Sequence, residues 1–158
     1  MQLKDEFSKP IYKEDLFRVL KEVLFMSIIG GLLIGSIQVL LVIRFDLSLM
    51  WLMLFVLAFL TAKRIKRAIN EPHIIYSLLS VFTFILAIYI LNLTASLGVY
   101  YIFTGSIQIE LSYFFQILNP VPYFYFLYPF SGYFFQVNNI FNVVFFIIGI
   151  YYAFQYSK

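Results

Sequence analysis

The chain has 158 residues, of which 63% are hydrophobic, 22% aromatic and only 12% charged. About a quarter charged is usual for a soluble domain, so the bilayer is the expected solvent. The formal charge of +3 sits beside apolar runs, which argues against a nucleic-acid face, and the absence of cysteine excludes disulfides, thiolate metal sites and a cysteine nucleophile.

Residues 1–22 form a cytoplasmic segment with an amphipathic stretch. Leu16, Val19, Leu20 and Val23 recur at helical spacing while Lys13, Glu14, Arg18, Lys21 and Glu22 take the other positions. Glu14 and Arg18 make a favourable i,i+4 pair, and the pattern predicts a helix lying at headgroup level that leads into the first span. Asp5, Glu6, Glu14, Asp15 and Glu22 precede the first apolar run, and no small-residue cleavage site follows it. It therefore reads as a retained anchor, not a signal peptide.

From residue 23 the chain reads as one transmembrane domain, 23–158. "VLFMSIIGGLLIGSIQVLLVI", 23–43, carries no charge and would be about 31 Å long as a helix, enough for the hydrocarbon core. Arg44, Phe45 and Asp46 break it, and a second span over 47–62 is completed by Lys63 and Arg64 reaching to the interface. These two spans make one helical hairpin. After "KRIKR", 63–67, Asn70 is the expected N-cap of a third span, with Pro72 in its first turn. That span covers 74–93, and Ser96 and Gly98 weaken its continuation through "TASLGVYYIF". The last span is 139–155, so the predicted fold is all-α, with four transmembrane helices in two hairpins.

The segment 110–136, "ELSYFFQILNPVPYFYFLYPFSGYFFQ", is apolar enough to cross a bilayer, but Pro120, Pro122 and Pro129 interrupt it. Lipid-facing backbone groups left unpaired by proline cost several kcal/mol each, which argues against one straight span. Asn119 to Pro122 is better placed as a turn between two short aromatic helices, giving an external re-entrant or interfacial hairpin. With four spans and cytoplasmic termini, ten of the eleven Lys and Arg residues fall inside and only Arg44 outside, as the positive-inside rule favours. A bacterial plasma membrane is the expected location.

Candidate sites follow from this layout. Ser27, Gly31 and Gly35 form a small-xxx-small groove for close helix packing, with this chain's own helices, a second copy or another subunit as the occupant. Lys63, Arg64, Lys66 and Arg67 serve as a topology anchor or a site for anionic lipid. Glu110 is a candidate ion or proton site if it enters the membrane and a solvated side chain if it does not. His73 is a lone histidine at a helix start, more often an interfacial side chain than a relay or ligand. Gln38, Ser77, Ser80, Thr83, Asn92 and Asn142 are positioned for hydrogen bonds between helices.

No HExxH, GxSxG, P-loop or dinucleotide-binding pattern occurs, so no enzymatic role and no cofactor are expected. The expected function is that of an accessory, assembly or adaptor subunit packed against another membrane protein. The alternative is a small homo-oligomeric transporter or channel, against which the lack of charge within the spans counts. Partners on either reading are the lipid bilayer and a membrane protein or further copies of the chain, not nucleic acid.

Overall fold

The structure, a computed structural model, describes residues 10–105, 111–132 and 134–157. Every regular element among them is helical. The first, α1, runs unbroken over Lys13–Phe45, as ordinary helix over Lys13–Phe25 and Gly31–Phe45 with a π-helical turn at Met26–Gly30. The amphipathic stretch and the first apolar run are thus one helix. Of its predicted apolar side, Val19 and Val23 are buried against Ile65 and Tyr76, while Leu20 stays exposed. Helices later in the chain thus cover part of the face that lipid was expected to cover.

At its far end α1 stops at Asp46, whose φ of 50° is left-handed, and Gln38 Nε2 donates to Ser48 Oγ at 3.0 Å across the turn. Next come α2, Met50–Ala68, and α3, Ile74–Thr104. By rise per residue the 31-residue α3 is about 46 Å long. Ser96 and Gly98 do not end it as their propensity suggests. Gly98 lies against Val39 of α1, so packing compensates for what the glycine loses in the isolated helix. Gly105, at φ 64°, ends α3 in the left-handed conformation that glycine adopts without strain.

The chain then folds back through α4, Leu111–Leu118, and a 3-10 helix, Val121–Leu127. Between them Asn119 Oδ1 accepts from Val121 N at 3.0 Å, which puts the turn where the prolines predicted it. The second arm is shorter than expected. Tyr128 is extended ahead of Pro129, as a residue preceding proline prefers, and turns lead from there to α5, Val137–Gln155.

Contacts order the helices into two parallel pairs. Gly31, Gly35 and Val39 of α1 meet Ala87, Leu91 and Gly98 of α3 in rising order, so those helices run in the same direction. Trp51, Phe55 and Phe59 of α2 meet Phe145 and Tyr152 of α5 in rising order as well. A core of Met26, Ile34, Leu54, Leu57, Phe84 and Phe146 joins the pairs. Three helices, Lys13–Phe45, Ile74–Thr104 and Val137–Gln155, are long and apolar enough to cross a membrane, which suggests a membrane location. By the same measure α2 falls short, since its last turns carry Lys63, Arg64, Lys66 and Arg67.

Candidate functional site

Two regions carry the chemistry of this chain, and they lie toward opposite ends of the bundle. The charged end is built around Asp15, which is 1% exposed. Its Oδ2 accepts the Asn70 N–H at 3.0 Å and the Glu71 N–H at 3.5 Å, while Oδ1 accepts from Asn70 Nδ2 at 2.9 Å. Arg18 adds an ion pair at 3.4 Å. Asp15 thereby ties the start of α1 to the α2–α3 connection. Nothing in the local sequence around Asn70 announces this partner 55 residues away. A signal exists in α1 itself: Asp15, Val19, Val23, Ser27, Gly31, Gly35 and Val39 stand four apart, and all are buried. An acid on such a stripe calls for buried partners.

Asn70 is therefore not the N-cap of α3. That position is His73, whose Nδ1 accepts from Ile75 N at 3.1 Å. Its ring stands 5.9 Å from that of Tyr76, and it is buried. Accepting at Nδ1 fits the neutral ring with its proton on Nε2.

Of the predicted basic cluster, Arg64 is the most engaged. Its Nε is 3.0 Å from Glu22 Oε2, without the alignment of a hydrogen bond, and its guanidinium lies 4.3 Å from the centre of the Phe25 ring. Lys63 reaches over Phe59, at 5.5 Å. Arg67 faces α1 across a cleft of about 310 Å³ whose other charged walls are Arg18, Lys21, Glu22 and Arg64. Lys66 is exposed and does not line it.

The groove of Ser27, Gly31 and Gly35 is filled by the chain's own α3. A Cβ on Gly31 would stand 2.8 Å from the Ala87 carbonyl oxygen, and one on Gly35 would stand 2.7 Å from that of Leu91. These are backbone atoms, so only separation of the helices would make room. Ser27 is fully buried within the π-helical turn.

Of the six polar residues expected to bridge helices, two serve their own. Thr83 Oγ1 donates to Leu79 O at 2.6 Å, and Asn92 Nδ2 donates to Ile88 O at 3.0 Å, because the carbonyl four residues back is the nearest acceptor in a helix. Gln38 bonds into the first turn instead, through Ser48. Among the described residues the oxygens of Ser77, Ser80 and Asn142 have no hydrogen-bond partner.

The aromatic end is held by rings and by side chains that reach backbone carbonyls. Tyr89 OH donates to Leu118 O at 2.8 Å and Tyr123 OH to Ile117 O at 2.6 Å. Asn139 Nδ2 donates to both Phe126 O and Phe134 O, at 3.1 and 3.2 Å. The Phe124 and Phe126 rings pack on Phe146, with centroids 6.4 and 5.6 Å away. Other rings point outward: Phe103, Phe130 and Phe135 are 83%, 85% and 80% exposed. Glu110, the candidate ion or proton site, lies outside the described residues.

Among the described residues no three His, Cys, Asp or Glu side chains gather as a metal site would require. A scan against protein-family models and searches of curated proteins and of solved structures found no match to this chain.

Proposed function

We propose that the chain is a four-span protein of a bacterial plasma membrane, with both termini cytoplasmic, acting as an accessory, assembly or adaptor subunit beside another membrane protein. The observation that carries the reading is the exposure of Phe103, Phe130 and Phe135. Two of these project from the turns that lead into α5 and the third from the last turn of α3. Large phenylalanine rings at helix ends and turns are costly in water, and a protein surface that covers them removes that cost.

The fourth span is supported by the company α2 keeps. Trp51, Phe55 and Phe59 run alongside Phe145 and Tyr152, so the apolar part of α2 shares the depth of α5. Lys63 laid over Phe59 has the form of a basic side chain reaching from the hydrocarbon edge to the interface. The re-entrant reading of the aromatic segment is supported by Leu118 meeting Tyr89, which is close to the midpoint of α3. Orientation rests on the distribution of Lys and Arg. Catalysis and ion coupling have no part in this reading, because residues 23–43, 47–62, 74–93 and 139–155 carry no charge.

Native mass spectrometry of the protein gently extracted from its own membrane tests the proposal. A second membrane protein at fixed stoichiometry is expected, and Phe130→Ser with Phe135→Ser should release it. A pure homo-oligomer would overturn the accessory role and direct attention to the transporter reading and to flux measurements in liposomes.

A further inference from the structure

We propose that the cleft between the charged ends of α1 and α2 holds the phosphate headgroup of one anionic phospholipid. Its walls are Arg18, Lys21 and Glu22 from α1, and Arg64, Arg67 and Ala68 from α2. Four cations thus surround a single carboxylate. Arg18 is already engaged by Asp15 and Glu14, at 3.4 and 3.8 Å, and Arg64 by Glu22 at 3.0 Å. Lys21 and Arg67 differ. Among the described residues neither has a carboxylate within ion-pair distance, and Lys21 rests its ammonium 4.5 Å from the Phe17 ring centre. One uncommitted cation therefore stands on each wall of the cleft, with Arg67 supplying the planar fork that suits a phosphate.

Position selects the lipid as the source of that phosphate. Both helices change from charged to apolar at this level: residues 23–43 of α1 and 50–62 of α2 carry no charge at all. Phe17, Leu20 and Leu24 share the Lys21 side of α1 by helical spacing and are exposed, offering apolar surface for acyl chains next to the cations. A free phosphate would use the cations and leave that surface uncovered. Glu22 occupies part of the site as an internal counter-charge, so an entering phosphate competes with it for Arg64.

The inference rests on the membrane placement above, and its test leaves that placement standing either way, because membrane fractionation of the same variants reports on it separately. Purified full-length protein in detergent is titrated with phosphatidylglycerol, phosphatidylcholine or glycerol phosphate, and bound species are counted by native mass spectrometry. One phosphatidylglycerol should be retained in preference to phosphatidylcholine, and Lys21→Gln with Arg67→Gln should weaken it about tenfold or more. The pair Lys63→Gln and Lys66→Gln removes the same charge away from the cleft and should change binding less than about twofold. Glu22→Gln should strengthen binding, a gain that misfolding cannot produce. Equal weakening by both charge-removing pairs would show general attraction and overturn the proposal. So would weaker binding in Glu22→Gln, equal retention of phosphatidylcholine, or displacement of the lipid by equimolar glycerol phosphate, which would identify a soluble anion as the ligand.

Discussion

The two parallel helix pairs solve the same problem in opposite ways. Between α1 and α3 the seam is made of small residues, and Gly31, Gly35 and Gly98 let the backbones approach until a single added carbon would strike Ala87, Leu91 or Val39. Between α2 and α5 the seam is made of rings. Trp51 sits 5.0 Å from Phe145, and Phe55 and Phe59 stand 6.0 and 5.9 Å from Tyr152. Lipid tails are as apolar as leucine, so burying a large ring earns little transfer energy there, and association depends on close contact and hydrogen bonding. The glycine seam should therefore be brittle to addition and the aromatic seam tolerant of subtraction.

This contrast orders the mutational effects. Gly35→Leu should prevent the α1–α3 pair from forming, and the smaller Gly35→Ala should destabilise by about 1–3 kcal/mol, read by unfolding in bicelles. Asp15→Ala removes the polar closure at the charged end of the same seam. It should cost about 2–3 kcal/mol, because hydrogen bonds to a charged group are the stronger kind and Asn70 would lose its acceptor. Phe145→Ala, which deletes an entire ring from the other seam, should cost only about 1–2 kcal/mol. If deleting that ring proved more damaging than adding one methyl group at Gly35, the two seams would not differ in the way proposed.

The sequence discloses the helices better than it discloses their neighbours. Uncharged runs and the three-proline interruption were enough to place the apolar helices and the turn near Asn119. Residues 13–22 show what a local pattern leaves out. Their amphipathic spacing is real, but period alone cannot say whether Val19 and Val23 meet headgroups or Ile65 and Tyr76. The continuation of α3 past Gly98 was obscured for the same reason, since helix propensity is local and the contact with Val39 is not. Asn70 misled because its type suits an N-cap, whereas His73 can accept the Ile75 N–H and frees Asn70 for Asp15. At the candidate sites, the basic run was legible as a cluster. Its division into Arg64 and Arg67 facing a cleft and Lys63 and Lys66 turned away required the opposing face of α1.

The parallel register of α1 with α3, on which both the filled groove and the charged clamp depend, can be tested with one cross-link. A Cβ built on Gly98 lies 3.6 Å from Val39 Cβ, within the range that a disulfide spans, and the chain has no other cysteine to compete. Val39→Cys combined with Gly98→Cys, oxidised in the native membrane, should yield an intramolecular disulfide in a protein that stays monomeric under non-reducing denaturation. A covalent dimer, or thiols that remain free and reactive, would contradict it and give the glycine groove to a different occupant.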